Sequence, residues 1–404
     1  MQLWKQNSIK FLSAQTISLF GSSIVQFAII WQITLQSKSG VMMSVATICG
    51  YVPQMLISMF AGVLADRFSR RNLIMWSDGI IAFSTWIVAM AFLTGYQEMW
   101  MLYVVLLIRS AGSGIQMPAV NALLPQLVPQ EHLLQINSIY SVINSLMMFL
   151  SPIISGLLLT LMPLEIAFFL DVITALIGNG IMLLVRVDSQ KLNANTGAPK
   201  KKTMQMMKEG WQYIRHHDML SKLLLFIFFV MVFISPAAFM TPLLVARNFH
   251  GTVYALSISE MLFALGAVVG GVLMSIWGHR QRHITMLLYS TFVYGAFMLV
   301  LGMAVNFAVY LGANFLIGIC MPCFQTSYQT YLQEHVESFL QGRVFGAVQI
   351  INACALPLGT VVFGPLADYI ALKWIFCVCA LTVMLCVIFF VSYIHRISDK
   401  HPRY

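Results

Sequence analysis

The stretch GVLADRFSRR, Gly62 to Arg71, sets one acid and three arginines into its last six positions, with strongly apolar sequence on either side. A run that is soluble in lipid and then ends abruptly in charge reads as a helix leaving a bilayer for water. Working outward from it, apolar runs of about 20 residues recur along nearly the whole chain, the length a helix needs to cross a membrane. They are too long and too continuous for barrel strands, which alternate over about 10 residues.

Composition agrees. The chain has 404 residues, 59% of them hydrophobic and 9% charged, with a mean hydropathy of +0.82. Soluble globular chains carry roughly 25% charged residues, so this one must use lipid as its outer solvent. The net charge of +9 does not point to nucleic acid, because the positive residues sit between apolar runs and orient the chain in a membrane. All seven cysteines fall inside apolar runs, and Cys320-Met-Pro-Cys323 reads as small residues packing helices. No phosphate loop of the G-x-x-x-x-G-K-[ST] type, no G-x-S-x-G and no H-E-x-x-H occurs. The histidines show no metal-ligand spacing, so neither a cofactor nor a metal is expected, and the chain does not read as an enzyme. Lys5 and Lys10 precede an apolar stretch without a small-residue cleavage site, so a retained first span is expected rather than a removed leader.

Apolar runs and their breaks predict twelve spans, at 9–35, 41–65, 72–93, 98–123, 136–160, 164–186, 219–246, 253–277, 283–304, 307–331, 342–367 and 371–394. With both termini placed in the cytoplasm, only Lys38, Arg247 and Lys373 fall on the opposite side and Arg109 falls inside a span. Every other Lys and Arg of the 23 is cytoplasmic. That bias sets the orientation and requires an even number of spans. An integral protein of a bacterial-type inner (plasma) membrane is expected, its arginines against anionic headgroups.

Asp188 to Asp218 contains NANTGAP and a lysine run, which mark a linker. The domain organisation predicted is a bundle at 1–187, a cytoplasmic linker at 188–218 and a second bundle at 219–404. The segment MQMMKEGWQYIRHH reads either as a surface helix on the inner leaflet or as a simple tether. The halves also match each other. GVLADRFSRR pairs with GVLMSIWGHR at Gly271–Arg280, GIQMP at Gly114–Pro118 with GICMP at Gly318–Pro322, and Asn144 with Asn352. The shared order and near-constant offset predict an all-α polytopic membrane protein of twelve helices in two pseudo-symmetric six-helix bundles.

With these features in place, the chain resembles the major facilitator superfamily over essentially its whole length. Its opening stretch is similar to the family's loop motif G-x-L-A-D-R-x-G-R-R/K between spans two and three. Gly62, Leu64, Ala65, Asp66, Arg67, Arg70 and Arg71 fit, and Ser69 stands where the family has Gly. Within the family the wording is closest to macrolide-efflux-type drug:proton antiporters, in GVLADR, WSDGIIA, LIRSAGSGIQMPA, ISISEMLFALG and LQGRVFG. The resemblance implies a gating motif of Gly62, Asp66, Arg67, Arg70 and Arg71. In it the Asp66 carboxylate faces the positive start of span eleven, near Gly342-Arg343. The alternative is a plain positive-inside anchor.

Four charged residues fall inside spans, where each costs about 2.5–3.5 kcal/mol near the helix centre. Arg109, about 11 residues into span four, lies roughly 16 Å deep and reads as a fixed positive charge tuning a nearby carboxylate, or as a structural ion pair. Glu260 in span eight is the candidate proton carrier, or an acid tying helices together. Asp78 reads mainly as a counter-ion of the arginine knot, and secondarily as a group in proton coupling. Asp171 in span six, which the resemblance makes peripheral, reads as structural. Gln26, Gln116, Asn144, Asn314, Gln325 and Asn352 are candidates to line a substrate cavity, or to join helices by hydrogen bonds.

The expectation is a secondary active transporter, acting as a monomer, that exports small amphipathic substrates in exchange for protons by alternating access. The rivals are a transporter of another cargo, such as a lipid or a siderophore, and a membrane-embedded enzyme or sensor.

Overall fold

A computed structural model of the chain describes residues 3–186, 212–249, 251–277, 283–336 and 338–400. Besides a helical stretch at 212–216, thirteen helices with defined bounds form among them, and no strand. They are α1 (Leu3–Ser37), α2 (Gly40–Arg67), α3 (Arg70–Leu93), α4 (Met99–Leu127), α5 (Gln130–Leu161), α6 (Leu164–Leu183), α7 (Asp218–Phe239), α8 (Thr241–Asn248), α9 (Val253–Trp277), α10 (His283–Met303), α11 (Phe307–His335), α12 (Ser338–Tyr369) and α13 (Leu372–Lys400). Eleven of these are long and apolar enough to cross a membrane, and α12 carries a shorter apolar stretch at Cys354–Tyr369. Counting α12 gives six in each half, as the sequence predicts. Most of the segment read as linker or surface helix lies outside the described residues.

Local chemistry sets the helix ends. Pro129 and Pro163 precede α5 and α6 as their caps, with extended backbone that cannot continue the helix before them. At the end of α3, Gly95 takes φ +86°, and the N–H groups of Gly95 and Tyr96 turn back onto the carbonyls of Phe92 and Ala91. Asn306 caps α11 by accepting from the Ala308 N–H at 2.9 Å. The sequence reads 219–246 as one span, but the structure divides it at Met240 into α7 and α8. Pro242 has no N–H for the Ala238 carbonyl, and its ring crowds that carbonyl, so the α-helical ladder stops there.

The chain folds as two compact units. One contains α1, α2 from Val45 onward, α3 to α6, and Gly251–Ser257; the other contains Ser39–Ser44, α7, α8, and the chain from Ile258 onward. In the first, α1 packs on α5 and α6, and α3 packs on α4 and α6. In the second, α7 packs on α12 and α13, and α10 packs on α11 and α13. Position by position these are the same pairs: first with fifth and sixth, third with fourth and sixth. The internal repeat of the sequence is thus a repeat of packing.

The GIQMP and GICMP pair has a direct cause. A Cβ on Gly114 of α4 would come within 2.8 Å of the Gln54 carbonyl of α2, and one on Gly318 of α11 still closer to the Phe263 carbonyl of α9. Each unit therefore crosses its fourth helix against its second, backbone to backbone. In lipid no hydrophobic force drives helices together, and such close approach supplies the packing instead. Gly271, the repeat partner of Gly62, meets nothing within 4 Å.

These two environments make opposite demands. Gly318→Ala is expected to lower the melting temperature in detergent, by the equivalent of about 1–3 kcal/mol for forced overpacking. Gly271→Ala is expected to be neutral or to gain up to about 1 kcal/mol from helix propensity. Equal melting temperatures for the two variants would contradict the crossing.

Candidate functional site

Four helices of the first unit carry polar side chains in one band about two helical turns deep. On α1 these are Ser18 and Ser22, one turn apart. On α3 they are Asp78 and Thr85, on α4 Arg109 and Gln116, each pair two turns apart, and on α6 Asp171. Helical spacing of four and seven keeps each pair on one face. On one side of this layer lies a cluster including Val25, Ile29, Phe92, Leu102, Leu106 and Phe168. On the other lies a cluster including Phe11, Ile74, Val120, Leu123, Leu124 and Met182. The unit is thus built as apolar, polar, apolar along its length.

Arg109 and Asp171 form the centre of the layer. Nη1 of Arg109 meets Oδ2 of Asp171 at 2.5 Å, with 5% and 0% of the two side chains exposed. The guanidinium also donates to the Ser22 carbonyl at 2.7 Å and to the Thr85 hydroxyl at 3.2 Å. Asp171 takes a further bond from the Ser22 hydroxyl at 3.1 Å, and the Thr85 hydroxyl lies 3.2 Å from its Oδ2. A charge that cannot lose its proton is thereby paired and hydrogen-bonded within the membrane. The nearby carboxylate that Arg109 requires is Asp171, read from the sequence as structural with its direction left open. Asp171 is fully buried and faces α1, α3 and α4.

Asp78 sits in the same layer, 3% exposed. Its partners are neutral: Gln116 Nε2 donates to it at 2.7 Å, and Ser18 is the other hydrogen-bonding neighbour. The sequence reads Asp78 mainly as counter-ion to the arginine knot, but Arg70 donates to the Ala122 carbonyl at 2.6 Å and Arg71 to the Val185 carbonyl at 3.0 Å. Arg70 thus binds a carbonyl within α4, and Arg71 one just past the end of α6, where a helix attracts cations. The surroundings of Gly62 and the side chains of Asp66, Arg67 and Arg343 are not described.

In the second unit, Glu260 on α9 is partly buried and has no hydrogen-bond or ion-pair partner among the described residues. Its neighbour Ser259 shares a 2.8 Å bond with the Tyr310 hydroxyl, and Asn314 donates to the Ser259 carbonyl at 2.8 Å. Asn314 thus braces α11 against α9 and is 5% exposed. Asn144 turns back to the Tyr140 carbonyl of its own helix at 2.8 Å, and Asn352 donates to the Tyr328 hydroxyl at 2.9 Å. Gln26 is partly buried and Gln325 exposed. Sequence reasoning passed over Ser22 and Thr85 as partners of the buried pair. Their spacing from Ser18 and Asp78 was the available clue. Among the described residues, no three His, Cys, Asp or Glu side chains gather as a metal site.

Removing one member of the buried pair leaves the other uncompensated. Arg109→Met or Asp171→Leu alone is expected to cost about 3–5 kcal/mol, and the double change to recover much of that loss. Thermal melting of the purified variants measures this; additive losses in the double variant would contradict direct pairing.

The comparisons with known proteins agree with this architecture. The profile of the Major Facilitator Superfamily matches residues 11–360. The chain is 28% identical over 386 residues to Macrolide efflux protein A of Streptococcus pyogenes, covering 95% of each chain. It is 21% identical over 397 residues to the Staphyloferrin A transporter of Staphylococcus aureus, covering 96% of each. Among solved structures, a bacterial homologue of the iron transporter ferroportin in an inward-facing state superposes with a TM-score of 0.74 at 14% identity, covering 96% of this chain and 99% of that one. The chain is a member of the major facilitator superfamily, a family of membrane transporters.

Proposed function

We propose that this transporter exports small amphipathic compounds of macrolide type in exchange for protons, with Asp78 and Glu260 as the proton-carrying groups and Arg109 as the fixed charge beside one of them. The observation that carries this reading is a mismatch of charge. The polar layer of the first unit holds one arginine and two carboxyls, and the arginine is taken up by Asp171. Among the described residues Asp78 has only neutral hydrogen-bond donors, and a carboxylate buried in that way is costly unless a cation neutralises it. A proton is the simplest such cation. Glu260 poses the same problem in the second unit.

The cargo is inferred from the similarity to Macrolide efflux protein A over nearly the full length of both chains. Gln26, Gln116, Asn144, Asn314, Gln325 and Asn352 remain the proposed polar groups of a substrate cavity. The chain is read as two bundles, 1–187 and 219–404, tied by a cytoplasmic linker. Both termini are cytoplasmic, the membrane is the inner one, and the monomer is the working unit. Rocking of the bundles exposes the proton groups to either side in turn, and one charge moving through 100 mV is worth about 2.3 kcal/mol to the export step. The Staphyloferrin A transporter relative supports a second reading, export of a siderophore, in the same fold with the same proton groups.

Proteoliposomes with an imposed pH gradient test both. A macrolide is expected to move against its own gradient, and an uncoupler to abolish that movement. Asp78→Asn and Glu260→Gln are each expected to reduce it to leak while leaving substrate binding by thermal shift intact. Efflux that ignores the uncoupler, or a siderophore that alone shifts the melting temperature, would displace the macrolide–proton reading.

A further inference from the structure

On the lipid-facing side of the first unit a groove of about 430 Å³ runs between α3 and α6. Its floor is made of small residues, Gly79 and Ala82 of α3 and Ala175 of α6, and Phe83, Trp86 and Leu176 rise beside it. Phe83 and Trp86 stack on each other with ring centroids 6.0 Å apart, and they are 62% and 40% exposed. Packing within the protein does not require the glycine, since a Cβ on Gly79 would meet no atom within 4 Å. Gly180, one turn beyond Leu176 on the same face of α6, is open in the same way. Below the floor Asn179 donates to the Met75 carbonyl at 3.2 Å and ties the two helices together.

The groove leads toward the basic end of the unit. Arg71 stands two turns before Gly79, about 12 Å away along α3. Its Nη1 donates to the Val185 carbonyl at 3.0 Å and the Leu183 carbonyl at 3.5 Å, so it bridges α3 and α6 at the end of their seam. The Nε and Nη2 donors of the same guanidinium are left for a ligand. Lys10 of α1 reaches the Leu184 carbonyl at 3.4 Å. Asn7 holds the Arg186 backbone from both sides, accepting from its N–H at 3.4 Å and donating to its carbonyl at 3.0 Å, while Arg186 stays exposed. None of these three cations has a carboxylate partner among the described residues.

Apolar contact alone selects nothing in a bilayer, because acyl chains are as apolar as the groove they would fill. Selection has to come from the charged end. The ligand that satisfies both ends carries a negative head and a long hydrocarbon chain. A chain held by its head at Arg71 reaches Gly79 about 12 Å down, near the middle of a hydrocarbon core roughly 30 Å thick. We propose that the α3–α6 groove binds one anionic glycerophospholipid, its phosphodiester on Arg71, Lys10 and Arg186 and the far part of one acyl chain against Gly79. A second copy of this chain fits worse, because a two-fold pair about the membrane normal would press two such basic ends together. The bound lipid props from outside the two helices that carry Asp78 and Asp171. The proposal goes beyond the transport reading and does not depend on it.

Native mass spectrometry of the full chain in mild detergent reads the binding directly. Dioleoyl phosphatidylglycerol is titrated beside dioleoyl phosphatidylcholine, which has the same chains and no net charge, and beside glycerol 3-phosphate, which has the head without the chains. One phosphatidylglycerol is expected to bind about tenfold more tightly than phosphatidylcholine, as charge-assisted hydrogen bonds to the head allow, and glycerol 3-phosphate not to displace it. Gly79→Leu fills the groove, and Lys10→Gln with Arg186→Gln thins the basic end; each is expected to weaken phosphatidylglycerol about tenfold. Equal affinity for the two lipids, displacement by glycerol 3-phosphate, or unchanged binding in Gly79→Leu would each overturn the proposal. So would a mass of two chains that Gly79→Leu abolishes, which would assign the groove to a second copy. The comparison of lipids on the unaltered chain decides even where a variant fails to insert. Transport plays no part in the readout, so the lipid site and proton exchange can fail separately.

Discussion

An arginine placed at the middle of a lipid bilayer has to be neutralised, and the first unit is organised around that requirement. Arg109 cannot shed its proton, so Asp171 must approach it, and the Ser22 carbonyl and Thr85 hydroxyl must take its remaining donors. Meeting these demands fixes the rotation of α1, α3, α4 and α6 about their axes. It also fixes their relative heights, because each helix can bring its polar stretch to the layer in only one register. The two apolar clusters then fill the space above and below. The ion pair contributes less as net stability than as a constraint on which of several lipid-compatible packings forms.

Glycine supplies the complementary constraint on distance. Where α4 crosses α2 and where α11 crosses α9, carbonyls stand where any side chain would begin. The crossing occurs at the same position of both halves, and the same helix pairs pack in each unit. Duplication preserved the spacing of backbones. It did not preserve the polar layer, for the second half has no counterpart of the Arg109–Asp171 pair among its described residues. There the equivalent tie is neutral, made by Asn314, Ser259 and Tyr310.

Much of this was legible before any coordinates. Span positions follow from hydropathy because the bilayer penalises every unpaired backbone group, leaving helices as the favoured solution for long apolar runs. The repeat was visible in GIQMP and GICMP because a steric requirement for glycine survives sequence drift. Arg109, Asp78 and Glu260 stood out because charge is rare in such a chain. What sequence could not convey was direction. Whether Asp171 faced lipid or protein depended on the rotation of α6, whose nearly uniform apolar surface left it open. The break at Met240 lay in plain view as Pro236 and Pro242, yet proline within a span is common enough in membranes to be read through.

The sandwiching of the polar layer between two greasy slabs has an electrical meaning. Low-polarity material on both sides carries most of the drop in membrane potential, so the layer stands at an intermediate electrical depth. Under the proposed proton exchange, a charge arriving at Asp78 from one face, or departing to the other, crosses only a fraction of the full field at each step. Voltage then weighs on loading and unloading separately, and the resting potential of the cell helps decide which of the two is slow.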